Sequence, residues 1–200
     1  PIVMNTKVKE LGQFYTTNSN YILSDMEINV NDNFIEPFVG NGDLTNWLNK
    51  KGVSNVETYD IDPKIECNEV RDTLLNPPDY TDKFIITNPP YLARNKSKDK
   101  TIFDKWNTND LYKAFMLSFI KGNAKGGIII IPLNFLCSRD SNIRKEFFRK
   151  YKIDNINIFE ERVFSDTDYT VCSFKFSRIT EFPNKTEFKA KLFPSQEYID

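Results

Sequence analysis

The sequence predicts an α/β fold built on a mostly parallel sheet, and three observations carry that prediction. Short β-branched and aromatic runs alternate with segments of helical period. A glycine turn, Gly40-Asn41-Gly42, separates one such run from the helical stretch after it. The spacing of the runs suits right-handed crossovers between parallel strands, and ligands of such sheets gather at the carboxyl ends of the strands.

The elements follow in order. Phe34-Ile35 leads as a strand into Glu36-Pro37, and Leu44 to Lys50 reads as a helix after the turn. Val56 to Tyr59 is a second strand ending in Asp60, and Glu69 to Arg71 a short third segment ending at Asp72. Phe84-Ile85-Ile86 is a buried strand running into Asn88. Leu111 to Ile120 repeats apolar residues at helical spacing, and Gly126-Gly127 releases it into the strand Ile128 to Ile131. Arg139 to Lys150 is an amphipathic helix with Ile143, Phe147 and Phe148 on one face. Ile153, Ile156 and Ile158 mark another strand, and Tyr169 to Phe176 a late antiparallel one.

Composition bounds the chemistry. Two hundred residues, 40% of them hydrophobic, supply one ordinary core. No apolar run approaches the roughly 18 residues of a membrane span, so no membrane association is expected. The three cysteines, Cys67, Cys137 and Cys172, suit neither a disulfide framework nor a zinc site, so a cytoplasmic, reducing setting and no metal are expected. With no histidine in the chain, a histidine base or a histidine-ligated metal is excluded. The formal net charge of −1 carries no global mark of a nucleic-acid binder. Locally, Arg94, Lys96, Lys98 and Lys100 stand against Asp99 alone, a run that reads either as a solvated loop or as a phosphate contact.

Two constellations carry function. The first is the segment from Glu36 through Phe38 and Gly40 to Gly42, with Asp60 twenty positions beyond Gly40. Glycines let the backbone approach a ligand, and an acidic residue at the next strand end can accept from ribose hydroxyls. Thr45 replaces the third glycine of a dinucleotide turn, no Gly-Lys-Ser/Thr follows, and Asp43 sits where a pyrophosphate would lie. A nucleoside without phosphates is favoured, with S-adenosylmethionine the common one. Asp72 suits either an acceptor for an adenine amino group or a turn-capping aspartate.

The second constellation is Asn88-Pro89-Pro90-Tyr91. Asn-Pro-Pro occurs twice, but the copy at 76–78 is followed by Asp79 and reads as a rigid turn. Only the second follows a strand and ends in an aromatic. The Asn88 side-chain oxygen and the Pro89 carbonyl can accept from the two hydrogens of a planar amino group, holding electron density on its nitrogen, while the prolines fix the backbone in advance.

On these motifs the chain resembles the amino-methyltransferases of DNA, specifically the adenine-N6 class with cofactor motifs ahead of the catalytic one, over roughly residues 11 to 178. Gly12-Gln13-Phe14-Tyr15-Thr16 looks like the amino-terminal cofactor motif, Glu36 to Gly42 the first motif, Tyr59-Asp60-Ile61-Asp62-Pro63 the second and Arg71-Asp72-Thr73-Leu74-Leu75 the third. The resemblance implies a Rossmann-like S-adenosylmethionine-dependent methyltransferase fold, with an about seven-stranded mixed sheet and a late antiparallel strand. It implies methyl transfer to adenine N6 in flipped-out DNA, in a restriction–modification setting. It assigns the methionine moiety to Thr16, the cofactor to Glu36, Phe38, Gly40 and Gly42, ribose to Asp60 and the adenine ring to Ile61, with Asp72 on the adenine amino group. Tyr91 and Phe164 would sandwich the target base, and Arg94, Lys96 and Lys98 would meet the DNA backbone.

The same loop serves methyltransferases of release-factor glutamine and of RNA bases, and an inactive cofactor- or DNA-binding subunit is a further alternative. Residues 1–180 are expected to form the catalytic domain. The tail 181–200, where Phe188, Ala190 and Leu192 alternate as in a strand, is too short for a target-recognition domain but suits the start of one. Target recognition is expected in a further region, in a second subunit or in the loops of this chain alone.

Overall fold

A computed structural model describes residues 18–139, 142–161, 163, 169–181 and 186–200. The Gly12-Gln13-Phe14-Tyr15-Thr16 segment and Phe164 lie outside the described residues.

Helix α1 (Ser19–Ile22) precedes β1 (Phe34–Glu36), α2 (Asp43–Lys50), β2 (Val56–Asp60), β3 (Glu69–Val70) and β4 (Phe84–Thr87). A 3-10 turn (Arg94–Lys96), α3 (Thr101–Trp106) and α4 (Leu111–Lys121) lead to β5 (Gly126–Pro132). Then come α5 (Asn134–Cys137), α6 (Asn142–Lys150), β6 (Tyr151–Phe159), β7 (Val171–Arg178), β8 (Ala190–Phe193) and β9 (Tyr198–Ile199). Among the described residues the strands form one sheet in the order β3-β2-β1-β4-β5-β7-β6-β8-β9.

The first seven strands match the expected count. β1 to β5 run parallel, and β7 is antiparallel to both β5 and β6. The tail enlarges the sheet: β8 pairs parallel with β6, and β9 antiparallel with β8. Ala190 and Leu192 do fall in a strand, but burial is on Ala190 and Phe193, three positions apart, and Leu192 is half-buried rather than alternating with a polar face.

Several boundaries shift by one to three residues, and the one at Gly126-Gly127 has a steric cause. Gly126 and Gly127 belong to β5 rather than to the turn before it, paired with Phe84 and Ile85 on one side and Ser177 and Phe176 on the other. Their role is steric, because a Cβ on Gly126 would lie 2.5 Å from the Phe176 carbonyl oxygen and one on Gly127 2.5 Å from that of Ile85.

The core follows from the residue types. β4 and β5 are buried along their whole length, as expected for central strands covered on both faces. One covering layer is aromatic: Phe119, Phe147, Tyr151, Phe174 and Phe176 pack ring against ring at centroid separations of 5.0–6.4 Å. Strand order reverses at β1, whose neighbours are β2 and β4. That switch point opens a crevice beyond the strands' carboxyl ends, where Glu36, Asp60 and Asn88 stand. Among the described residues no helix is long and apolar enough to cross a membrane.

Candidate active site

A cleft of about 130 Å³ lies at this switch point, and the ends of three parallel strands build it. From the end of β1 and the turn after it come Glu36, Phe38 and Gly40, from the end of β2 and the residue after it Asp60 and Ile61, and from the loop after β4 Asn88 and Pro90. Asp72 also lines it. The structure therefore brings together the residues of both sequence constellations, 48 positions apart between Gly40 and Asn88 in the chain.

The glycine turn is held by its acidic partner. Gly40 and Gly42 adopt φ of +54° and +79°, values open to glycine at little cost. The Gly40 amide donates to Asp60 Oδ2 at 2.8 Å, and the Asp62 amide donates to Oδ1 at 2.8 Å. The Val39 amide donates to the Tyr59 carbonyl at 3.0 Å. Asp60, 4% exposed, thus shapes the turn as well as facing the cleft, and each of its oxygens keeps acceptor capacity for a ligand hydroxyl.

Glu36 is the most unusual group in the cleft. It is 1% exposed, and Oε1 accepts from the Phe38 amide at 2.9 Å and from the Thr87 hydroxyl. Among the described residues Oε2 has no hydrogen-bond partner. Burial pushes the Glu36 carboxyl well above the usual range, outweighing the Thr87 and Phe38 donors, and nearby Asp60 adds to the rise. A buried carboxylate oxygen without a partner is costly, and a cationic donor entering the cleft would satisfy it. Among the described residues the lining is acidic: Glu36, Asp43, Asp60, Asp62 and Asp72 face one cation, Arg71, which Glu69 already holds at 2.9 Å. Such a lining selects a positively charged ligand and disfavours phosphates.

The remaining walls suit a flat nucleoside. Ile61 is 45% exposed at the cleft although it is large and apolar, the position of a side chain that a planar ring would cover. Phe38, Leu44, Leu74 and Ile102 supply further apolar surface. Asp72 Oδ1 accepts from the Leu74 and Leu75 amides, each at 3.1 Å, so it caps the turn while lining the cleft. The two roles offered for Asp72 are compatible. Thr73 Oγ1 donates to the Pro37 carbonyl at 3.3 Å and Trp106 Nε1 to the Leu74 carbonyl at 2.8 Å, locking this wall to the glycine turn and to α3.

Sequence reasoning missed Thr87, Asp62, Leu74 and Ile102. Thr87 had a signal, since it is the polar residue ending an otherwise apolar strand just before Asn88. Ile102 had none, because it reaches the cleft from α3, beyond the basic run.

The Asn-Pro-Pro-Tyr loop lies at the mouth of the same cleft, with Asn88 and Pro90 lining it. Its exit is zipped onto the start of α4: the Leu111 amide donates to the Leu92 carbonyl at 3.1 Å and the Arg94 amide to the Asn109 carbonyl at 2.8 Å. Tyr91 departs from the sequence reading. Its ring is 1% exposed and stands edge-on to Tyr112 at 6.4 Å and to Tyr169 at 5.8 Å. Its hydroxyl donates to Asn88 Oδ1 and lies 2.7 Å from the Ile130 carbonyl oxygen. A base could reach the ring only if one of those neighbours withdrew.

The basic run is partly spent on itself. Arg94 pairs with Asp104 at 2.6 Å, and Lys100 donates to the Arg94 and Ser97 carbonyls. Lys96 and Lys98 remain on the outside of the loop. Among the described residues no group of three or more His, Cys, Asp or Glu side chains is arranged to hold a metal ion.

A mostly parallel sheet with a late antiparallel strand, carrying an acidic cleft at its switch point, is the fold of the class I S-adenosylmethionine-dependent methyltransferases. The likeness to solved structures supports the fold. The methyltransferase subunit of a type I restriction-modification system from Streptococcus thermophilus superposes at TM-score 0.58 with 13% identity, over 91% of this chain and 47% of that one. A chain of the DrdV–DNA complex superposes at 0.60 with 16% identity, over 96% and 28%. The chain matches the Eco57I restriction-modification methylases over residues 5–164, and it belongs to that family. Relatives include the type II methyltransferases M.HincII and M.HindII of Haemophilus influenzae, each 30% identical over 193 residues and 86% of this chain. The chain spans 38% of the first relative's length and 37% of the second's. Fold and family make S-adenosylmethionine the cofactor, and the partnerless Glu36 Oε2 in an acidic cleft fits its cationic sulfonium and ammonium groups.

Proposed function

We propose that this chain is the catalytic domain of a DNA methyltransferase that modifies the N6 amino group of adenine. The carrying observation is that Asn88 and Pro90 open into the same cleft as Glu36 and Asp60, so an amine acceptor stands beside the methyl-donor site. When bound, the cofactor supplies an electrophilic methyl group on a sulfonium. Asn88 and the Pro89 carbonyl accept from the amino hydrogens of the target, keeping density on its nitrogen, and the prolines hold both acceptors before the base arrives. Fixing the amine in line with the methyl group supplies much of the acceleration. No strong general base is needed, which agrees with a chain without histidine.

In this reading Glu36 takes the ammonium end, Asp60 the ribose, Ile61 and Phe38 the adenine faces and Asp72 the adenine amino group. Thr16 would meet the methionine moiety and Phe164 the flipped base, as the motif resemblance implies. Lys96 and Lys98 would contact phosphates, Arg94 and Lys100 being engaged within the loop. Target recognition would lie in another region or subunit, which accords with a weakly acidic chain spanning under two fifths of its relatives.

The test is Asn88→Ala in an assay with labelled cofactor and unmethylated genomic DNA. Transfer should be abolished while cofactor affinity stays within a few-fold, and the wild-type label should be found on adenine N6. Unchanged turnover in the variant would refute the mechanism. Label entering release factor but not DNA would refute the substrate.

A further inference from the structure

The loop that carries Asn88 continues into an excursion with one face on the cofactor cleft and the other in solvent. The chain leaves and returns at one neck, where Ala93 bridges Asp110 antiparallel and the Arg94 and Leu111 amides donate to the Asn109 and Leu92 carbonyls. Beyond that neck, from residue 94 to residue 109, Phe103 alone is buried. A segment with so little apolar burial opens at a small free-energy cost compared with the core around it. Two contacts keep its inner face on the cleft. Ile102 lines the cleft, and Trp106 Nε1 donates at 2.8 Å to the carbonyl of Leu74, another lining residue. The Leu74 amide is in turn held by Asp72 at 3.1 Å. On the outer face Lys96 and Lys98 are exposed.

We propose that residues 94–109 form a cover that couples the two ligands: the cofactor holds it from inside through Ile102, and DNA phosphates hold it from outside through Lys96 and Lys98. Each ligand bears part of the cost of keeping the segment in place, so the second to arrive binds more tightly than it would alone. Trp106 is the positioning residue of the cover, because its bond to Leu74 ties the segment to the wall that Asp72 caps. The protein thereby favours DNA when the cofactor is loaded, and the cofactor when DNA is bound.

The inference rests on the DNA reading proposed above, and its test separates the two. Trp106→Phe keeps a ring and loses the bond to Leu74. Without DNA, calorimetry with the unreactive cofactor analogue sinefungin should show binding weakened roughly 3- to 10-fold, the scale of one hydrogen bond. A saturating unmethylated duplex should return it to within about two-fold of the wild type measured with the same duplex. Adding Lys96→Gln and Lys98→Gln to Trp106→Phe should abolish that rescue. Ile61→Ala, on the wall outside the excursion, should also bind sinefungin more weakly, and DNA should leave its deficit in place. Undiminished affinity in Trp106→Phe overturns the proposal. A duplex that binds without repairing the deficit overturns the coupling and leaves the DNA reading standing. Equal rescue of Ile61→Ala does the same, since it would mark direct contact between base and cofactor. A wild type that binds no DNA overturns the DNA reading and the coupling with it. Hydrogen exchange on the wild type reads the cover without any variant. Amides of residues 94–109 should exchange faster than those of α4 and slow when sinefungin is added alone; exchange indifferent to sinefungin overturns the proposal.

Discussion

Glu36 shows at the residue scale how burial becomes binding. Its two donors, Phe38 and Thr87, both serve Oε1, and Oε2 is left for a ligand. Because burial raises its pKa, the carboxyl holds a proton over a wider pH range than an exposed one would. A cationic cofactor favours the anion, so binding should release a proton and strengthen as pH rises through the folded pKa. Glu36→Gln keeps an acceptor for Phe38 and Thr87 but cannot ionise. It should weaken S-adenosylmethionine binding by roughly tenfold, the scale of one charge-assisted hydrogen bond, and remove the proton release. Calorimetry in buffers of different ionisation heat reads both effects, and an unchanged proton count in the variant would remove Glu36 from the linkage. The acidic residue before the glycine turn was visible in the sequence. Its missing partner was not, because that depends on where Thr87 of another strand places its hydroxyl.

At the scale of elements, the start of α4 anchors the loop that carries Asn88. Asp110 caps this helix by accepting from the Tyr112 amide at 3.2 Å, and the Leu92 and Arg94 backbone is bonded on either side of it. Burial pushes the Asp110 carboxyl up to about 6, against the lowering effect of the amides around it and of Lys113. Between the ordinary aspartate pKa of about 3.9 and that value, the folded protein holds a proton that the unfolded chain has released. This group's contribution to stability is therefore present at low pH and lost as pH rises through about 6. Asn is as good a cap and does not titrate, so Asp110→Asn should gain on the wild type by roughly 1–3 kcal/mol between pH 4 and pH 7. Urea midpoints across that range measure it, and parallel pH profiles for the two proteins would contradict it. Helical period made α4 legible in the sequence. Its grip on the loop after β4 was not, since the bonds run between backbone groups that any side chains would leave available.

The whole molecule is a sheet that grows past its expected edge. β8 lies along β6, and Phe193, 1% exposed, stacks on Phe159 at 5.2 Å while meeting Tyr21 edge-on at 5.2 Å. The tail is thus packed into the core that carries the cofactor cleft. Phe193→Ala should cost about 3 kcal/mol or more, the usual price of removing a buried phenylalanine, seen as a lower thermal midpoint of the single unfolding transition. A variant as stable as the wild type would mean that the tail is an appendage. In the sequence the alternation around Ala190 suggested a strand, but four residues cannot say which neighbour they will pair with.

What the sequence determined by itself was local. Runs of period two and 3.6 set the strands and helices, glycines with positive φ set the turn before α2, and Asn88-Pro89-Pro90-Tyr91 announced its chemistry through residue types alone. Tertiary structure alone decided relations across the chain. It brought Glu36, Asp60 and Asn88 to one edge, buried Tyr91 beneath the loop instead of over the cleft, paired Arg94 with Asp104 of α3 and folded Lys100 back onto the carbonyls of its own loop. The physical reason is that periodicity and backbone preference act over neighbouring residues. Burial, by contrast, and the hydrogen-bond partners it forces on polar groups, depends on which segments the packed sheet sets side by side.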